Sequence, residues 1–175
     1  EALAHLTCIN SVVDEIEEVL QRLQKANVQN ILALRGDRPE DGNFNSSRAD
    51  YTYAKDLIKH IQDFGDFSIG AACYPEYHTE AKDKVSDLKN LKEKVNSGTD
   101  FLITQLFLDN EFFYDFKEKL DLMDISVPVS AGIMPVINKR QIERITNLCG
   151  TSIPKKFRRI LDKYEDNPEA LKEAG

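Results

Sequence analysis

The sequence predicts an α/β protein with a parallel sheet, because short apolar runs alternate five times with amphipathic helical patterns. The apolar runs have few polar breaks, as in strands that are buried on both faces. Two closures fit five such βα units: a five-stranded doubly wound sheet, or part of an eight-stranded (β/α)8 barrel of the TIM type. A complete barrel needs roughly 200–250 residues, so a barrel made by these 175 residues would be incomplete.

Five strands are predicted from the apolar runs. In the second, Ile31–Leu34, apolar residues continue without a break until Arg35, Gly36 and Asp37 bring charge abruptly. This contrast is typical of a buried strand that ends at a polar edge. The other four predicted strands are His5–Ile9, Phe67–Cys73, Phe101–Phe107 and Val127–Ile133.

The helices are predicted from apolar residues at helical spacing and from capping signals. A polar loop rich in turn formers is expected over residues 40–47. The tail, Pro154–Gly175, is predicted as two short helices that break near Asn167. The capping signals are Ser11 with the acid Asp14 for the first helix, Asp109 or Asn110 for the fourth, and Gly98 and Gly150 as terminators.

Composition and charge exclude several classes of protein. The net charge of -7 argues against nucleic acid as the main partner, since phosphate binding needs a basic face. No apolar run approaches the ~20 residues of a membrane span, and no signal peptide opens the chain. The cysteines Cys8, Cys73 and Cys149 are far apart and odd in number, as reduced thiols are. We therefore expect a cytoplasmic protein without membrane partners.

Chemistry-bearing side chains follow the second predicted strand. Ligands of parallel α/β folds bind at the carboxyl ends of the strands. Arg35 offers a fork of donors, Gly36 permits a close approach or a positive φ, and Asp37 offers a carboxylate. An alternative is that Arg35 and Asp37 only pair with each other.

The later strand ends add aromatic, acidic, imidazole and amide groups. The usual phosphate cradles are missing, because neither G-x-G-x-x-G nor a Walker A motif occurs, and G-x-S-x-G is absent as well. Such a set suits an anionic, aromatic ligand with many hydrogen-bonding groups, which is the description of a nucleotide-like cofactor. Its members are Tyr74, Glu76, His78 and Gln105, with Asn90 and Lys94 on a neighbouring helix.

A metal site is the weaker interpretation of the third strand end. Glu76, His78 and Glu80 would share one face if the segment were extended and would scatter if it were helical. A lone histidine is more often a hydrogen-bonded structural residue, so no metal is expected. His60 is expected on a helix surface.

At these positions the chain resembles the methylenetetrahydrofolate reductase family, flavin enzymes of one-carbon metabolism. The resemblance implies one domain over residues 1–175, the central portion of a flavin-binding TIM barrel from its third to its seventh strand. The general-acid glutamate of the family's first strand would then lie outside these residues. The matching motifs are His5-Leu6-Thr7-Cys8, Leu34-Arg35-Gly36-Asp37, Tyr74-Pro75-Glu76-x-His78 with Glu80-Ala81-Lys82, Ile103-Thr104-Gln105 and, more weakly, Gly132-Ile133-Met134-Pro135-Val136.

The resemblance implies an oxidoreductase that serves methionine biosynthesis. A flavoprotein of this family reduces methylenetetrahydrofolate to methyltetrahydrofolate with NAD(P)H, by ping-pong hydride transfer through FAD. The partners would be folate and NAD(P)H, and homo-oligomerisation is left undecided. Two alternatives stay open: a non-catalytic fragment or remnant of that fold, and a different TIM-barrel enzyme that binds a phosphorylated ligand.

The family's site residues are carried over position by position. Asp37 would be catalytic, since a carboxylate near the flavin and the folate stabilises a cationic iminium. Gln105 and Gln141 would hold the folate's pterin. Ile145 and Glu93 stand where the family can carry a stacking phenylalanine and an arginine. The implied FAD contacts are His5, Arg35, Gly36, Asp37, Tyr53, Ala54, Tyr74, His78, Asp87, Asn90 and Lys94.

Overall fold

A parallel five-stranded sheet alternates with helices in the computed structural model, which describes residues 2–37 and 49–174. The polar loop predicted over residues 40–47 lies outside the described residues. The strands are β1 Leu3–Thr7, β2 Asn30–Leu34, β3 Ser68–Cys73, β4 Phe101–Thr104 and β5 Val129–Ser130.

The strand order decides between the two closures that the sequence left open. Neighbours in the sheet run β1-β2-β3-β4-β5, in chain order. A doubly wound sheet would reverse direction at a switch point, whereas a barrel adds each βα unit beside the last. The prediction of an incomplete TIM-barrel type with about five βα units is confirmed.

Seven helices are found in the described residues, and the two short helices predicted for the tail are among them. No helix of this part of the chain combines the length and the apolar character that a membrane span requires. The helices are α1 Val13–Lys25, α2 Ala54–Phe64, α3 Lys84–Asn96, α4 Asn110–Leu122, α5 Lys139–Cys149, α6 Lys155–Lys163 and α7 Pro168–Ala174.

The predicted bounds of the first strand, His5–Ile9, are wrong by two residues, because β1 already begins at Leu3. Beyond β1 the main chain leaves the regular ladder: the N–H of Cys8 is shared between the carbonyl oxygens of Leu34 and Arg35, each at 3.2 Å. β1 therefore ends beside the point where the chain leaves β2 and begins to turn.

The last two strands are shorter than predicted. β4 stops at Thr104, and the carboxamide of Gln105 then accepts a hydrogen bond from the main chain beside it, at 2.8 Å. β5 has two residues, because the N–H of Gly132 donates to the side-chain Oγ1 of Thr104 at 2.9 Å. The hydroxyl of Thr104 thus takes the place of the main-chain carbonyl that would continue the strand pairing.

The start of α1 differs from the prediction, since its N-cap is Val12 and not Ser11. The N–H of Val12 donates to the carboxylate of Glu15 at 3.3 Å, and the N–H of Val13 donates to that of Asp50 at 2.9 Å. Two carboxylates therefore satisfy the helix's first donors, and one of them comes from a distant part of the sequence.

Other capping predictions are confirmed. Asp109 caps α4, with its Oδ1 accepting from the N–H of Glu111 at 3.1 Å. Gly150 ends α5 in the left-handed region at a φ of 71°, and Gly98 lies beyond α3 at a φ of 114°. Glycine adopts these angles without the steric penalty of a β-carbon.

The described chain divides into two compact units. Unit 1 is drawn from Glu1–Ala72, Lys89–Ile103 and Val127–Val129, and unit 2 from Cys73–Leu88, Thr104–Ser126 and Ser130–Gly175. Unit 1 holds most of the sheet, and unit 2 holds loops that follow its later strands. That residues 1–175 form one domain stays a prediction.

Each unit has its own buried core. In unit 1, α1 and α2 bury one apolar stripe each, as the helical spacing predicts, and consecutive residues in the middle of β2 and β3 are buried beside them. In unit 2 the C-terminal helices enclose a cluster to which Ile145 contributes. The buried side chains include Ile16, Leu20, Leu57, Ile58, Ile61, Ile31, Ile69 and Leu102 in unit 1, and Leu106, Val136, Ile142, Leu161 and Leu171 in unit 2.

Candidate functional site

The ends of β1 and β2 are joined in unit 1. Besides the shared bond of Cys8, the N–H of Ile9 donates to the carbonyl oxygen of Arg35 at 2.8 Å. Gly36 takes a φ of +89°, and a β-carbon on it would lie 2.9 Å from Cγ2 of Ile9. Glycine is therefore required here both by its backbone angle and by its close contact with the neighbouring loop.

Arg35 and Asp37 differ in their surroundings. Arg35 is half-buried, and its Nε donates to the carbonyl oxygen of Gly36 at 3.2 Å. Asp37 is exposed, and among the described residues no ion pair joins it to Arg35. The carboxylate therefore lies on the surface at the end of β2, where the sequence places it.

Cys8 connects the ends of these strands to the start of α2. Its side chain is fully buried, and its thiol donates to the carbonyl oxygen of Tyr53 at 3.9 Å. Burial, and then the negative charge of Asp56, raise the pKa of Cys8 to about 11, although Arg35 acts against them. The thiol stays protonated at neutral pH, so it serves as a structural donor.

Tyr53 and Ala54 lie where α2 begins. The carboxylate of Asp56 accepts from the N–H groups of Thr52 and Tyr53, at 3.0 Å and 2.8 Å. These bonds satisfy donors that the first turn leaves without intrahelical partners. Tyr53 is 56% exposed, so its ring is available to a ligand while its main chain is held.

α3 contributes two predicted cofactor residues to unit 1. The ammonium group of Lys94 donates to the carbonyl oxygen of Ala72 at 2.8 Å, next to the end of β3, whereas Asn90 is exposed. Glu93, which stands where the family can carry an arginine, forms an ion pair of 2.7 Å with Lys55 of α2. That bond raises the pKa of Lys55 and compensates the charge of Glu93.

His5 lies in the middle of β1 and not at its carboxyl end. The register pairs His5 with Leu32 of β2, and Leu32 in turn with Gly70 of β3. Paired residues of parallel strands point to the same face, and a β-carbon at Gly70 would meet the ring of Phe101 at 2.5 Å. His5 is exposed on this face.

In unit 2, Tyr74 and His78 face each other after β3. Their rings meet edge to face with centroids 4.6 Å apart, and the N–H of His78 donates to the carboxylate of Asp87 at 3.2 Å. The Nδ1 of His78 accepts from the N–H of Glu80 at 3.0 Å. We assign the neutral ring its hydrogen on Nε2 for this reason, which makes Nε2 the donor.

Glu76 has a structural role in the same loop. Its two carboxylate oxygens accept from the N–H and the hydroxyl of Ser152, at 2.9 Å and 2.6 Å. The loop after β3 is thereby tied to the residues after α5. Within the described ranges, no three histidine, cysteine, aspartate or glutamate side chains are grouped to hold a metal ion.

The two predicted folate residues are placed differently in unit 2. Gln105 lines a small pocket together with Tyr74, Glu76 and Gly150. Its N–H donates to the carbonyl oxygen of Cys73, the last residue of β3, at 2.7 Å. Gln141 is exposed in the first turn of α5 and does not line that pocket.

Sequence reasoning missed one polar group. His60 was expected on a helix surface, which is wrong: it is half-buried, bonded through Nδ1 to the hydroxyl of Tyr51, and 3.4 Å from the carboxylate of Glu17 through Nε2. These residues come from two helices and the loop before one of them, so no local spacing could have revealed the group.

A parallel sheet in barrel order, with charged and amide residues after its strands, defines a barrel-type α/β protein with a candidate ligand site. The family model described as methylenetetrahydrofolate reductase matches residues 1–175. The chain belongs to the methylenetetrahydrofolate reductase family.

Similar proteins carry related names. The chain is 35% identical over 175 residues to 5,10-methylenetetrahydrofolate reductase of Pectobacterium carotovorum subsp. carotovorum, covering 100% of this chain and 57% of that protein. It is 39% identical over 180 residues to methylenetetrahydrofolate reductase 2 of Saccharomyces cerevisiae, and 37% identical over 187 residues to methylenetetrahydrofolate reductase (NADH) 1 of Zea mays. It covers 30% and 32% of those two proteins, so it spans about half or less of the relatives it matches.

Proposed function

We propose that this protein reduces methylenetetrahydrofolate to methyltetrahydrofolate, with FAD as cofactor and NAD(P)H as the source of hydride. The observation that carries the proposal is the family match over all 175 residues. The motif residues after β2, β3 and β4 support it, since each follows its strand in the order that the family motifs have. The proposal includes one barrel domain over residues 1–175 and a cytoplasmic location, with which three cysteines that form no disulfide among the described residues are in keeping.

The donor set supports FAD. A diphosphate and ribose hydroxyls are bound well by charge-assisted side-chain bonds when a glycine cradle is missing. Arg35 would supply a guanidinium fork, Lys94 an ammonium group beside the end of β3, and His78 the hydrogen on Nε2. The full set of proposed FAD contacts is His5, Arg35, Gly36, Asp37, Tyr53, Ala54, Tyr74, His78, Asp87, Asn90 and Lys94.

These residues would hold FAD, whose flavin would supply the ping-pong hydride transfer from NAD(P)H to the folate. Asp37 would stabilise the positive charge of the folate's iminium form, because its carboxylate is exposed at the end of β2. Gln105 uses its carboxamide oxygen on the N–H of Leu106, so its NH₂ group is the end that would meet the pterin. Gln141 is the second proposed pterin contact.

The test is flavin binding followed by two half-reactions. We expect the purified protein to be yellow, with absorbance near ~450 nm, as flavoproteins generally are. Under anaerobic conditions NAD(P)H should bleach this absorbance, and methylenetetrahydrofolate should restore it. Flavin that binds but is not reoxidised by the folate would indicate a non-catalytic remnant. Binding of a sugar phosphate without flavin would indicate a different barrel enzyme.

A further inference from the structure

Glu17, His60 and Tyr51 form a relay on the outside of unit 1. The Nε2 of His60 lies 3.4 Å from Oε1 of Glu17 on α1, and Nδ1 is bonded to the hydroxyl of Tyr51. The rings of Tyr51 and His60 are stacked with centroids 5.8 Å apart, and the ring of Phe64 meets His60 edge-on at 6.5 Å. We assign the ring hydrogen of His60 to Nε2, which faces Glu17, so that Nδ1 accepts the hydroxyl hydrogen of Tyr51.

Tyr51 is suited to be the donor in this relay. Only 7% of its surface is exposed. Burial, and then the charge of Asp50, raise the pKa of Tyr51 to about 12, so the hydroxyl keeps its hydrogen. A buried hydroxyl without a partner would be costly, and the arrangement of His60 and Glu17 removes that cost.

The relay ends in the segment of residues 50–53, and each of these residues is held by at least one hydrogen bond. Asp50 accepts from the N–H of Val13, at the start of α1, and donates its own N–H to Ser11. The N–H groups of Thr52 and Tyr53 both donate to Asp56. Tyr51 lies between these held residues. Its side chain is bonded to His60 of α2, and His60 in turn contacts Glu17 of α1. The contacts that Tyr51 and His60 make with each other and with Glu17 do not include the side chain of Tyr53.

We propose that Tyr51 and His60 are positioning residues, which hold the entrance of α2 so that Tyr53 and Ala54 are in place before the flavin binds. The inference rests on the proposed function for the identity of the ligand. It goes beyond that function because neither Tyr51 nor His60 belongs to the proposed contacts. Contacts that are already ordered in the protein without ligand raise the affinity, because binding then does not have to supply the free energy of ordering these residues.

The experiment compares Tyr51→Phe, His60→Leu and His60→Gln with the unaltered protein. Phenylalanine keeps the stacked ring and removes only the hydroxyl, and leucine removes both the hydrogen bond of His60 to Tyr51 and its contact with Glu17. Glutamine offers one acceptor and one donor, so it can restore the relay. Tyr164→Phe is the matched control, because Tyr164 packs against the core of unit 2. Two quantities are measured: amide hydrogen exchange at Thr52 and Tyr53 without cofactor, and the Kd for FAD from flavin fluorescence.

A net hydrogen bond is worth a free energy that corresponds to about a two- to tenfold change in an equilibrium constant. We therefore expect Tyr51→Phe and His60→Leu to speed exchange at Thr52 and Tyr53, and to raise the Kd for FAD, by about two- to tenfold. His60→Gln and Tyr164→Phe should stay near the unaltered protein. Unchanged exchange in Tyr51→Phe would overturn the relay, and faster exchange with an unchanged Kd would overturn its link to the cofactor. If the unaltered protein binds no FAD, the proposed function fails, and the exchange rates still decide whether the relay holds this segment.

Discussion

Gly36 lies against Ile9 so closely that a β-carbon at position 36 would stand 2.9 Å from Cγ2 of Ile9. The same glycine has a φ of +89°, which disfavours any other residue. The contact joins the loop after β2 to the loop after β1. Arg35 and Asp37 are the residues before and after Gly36, so both flank this contact. The ends of two strands are therefore held together before any ligand arrives.

Replacing Gly36 with alanine should destabilise the protein by about 1–3 kcal/mol, because it adds both a strained φ and a clash. Urea unfolding measures the change. Gly65→Ala is the control, since its φ of 173° suits any residue and its β-carbon would meet only the movable end of Gln24. We expect that control to change stability by less than about 1 kcal/mol. Equal losses in the two variants would contradict the special role of Gly36.

Cys8 should be unreactive and should make stability depend on alkaline pH. Its pKa rises from an ordinary 9.0 to about 11 on folding, so below both values it is about a hundredfold poorer in thiolate than an ordinary cysteine. Iodoacetamide at pH 8 should therefore modify the half-buried Cys149 well before Cys8. The stability that Cys8 contributes should be constant below pH 9.0 and be lost as the pH rises to about 11.

The control for that pH dependence is Cys8→Ala. The difference in free energy of unfolding between the unaltered protein and this variant should shrink between pH 9.0 and about 11. A difference that stays level across this range, or rapid alkylation of Cys8 in the native protein, would show that burial does not suppress its ionisation.

His78 should matter for flavin through Nε2 and for the loop through Nδ1. His78→Ala removes both functions, whereas in His78→Asn the side-chain oxygen can still accept from the N–H of Glu80. Both variants should weaken FAD binding by about tenfold or more, the value of a bond to a charged group. Only His78→Ala should also lower the melting temperature. Full FAD occupancy after dialysis of either variant would remove His78 from the site.

Asp37→Asn should separate cofactor binding from folate chemistry. The amide keeps the shape of the side chain and removes its charge, so FAD should be retained and bleaching by NAD(P)H should continue. Reoxidation by methylenetetrahydrofolate should slow by about a hundredfold, as expected when charge stabilisation is lost. Stopped-flow absorbance of the two half-reactions measures this, and an unchanged folate step would count against the electrostatic role of Asp37.

Local signals predicted much of the fold and some of the site. The apolar runs and helical stripes located all five βα units, because a continuous apolar run and a helical period of 3.6 residues are properties of the chain itself. Asp109 and Gly150 were predicted as caps, since the atoms they satisfy lie within a few residues. Ser11 was not the cap it was expected to be, because Asp50, far along the chain, takes one of the donors of α1.

The sequence by itself determined which residues alternate between strand and helix, and that Arg35, Gly36 and Asp37 follow a buried strand. Only the tertiary structure decided the order of the strands, the contact that makes Gly36 necessary, and the position of His60 between Tyr51 and Glu17. The physical reason is distance along the chain: periodicity and capping act over a few residues, whereas these contacts join segments whose separation in sequence carries no signal of their proximity.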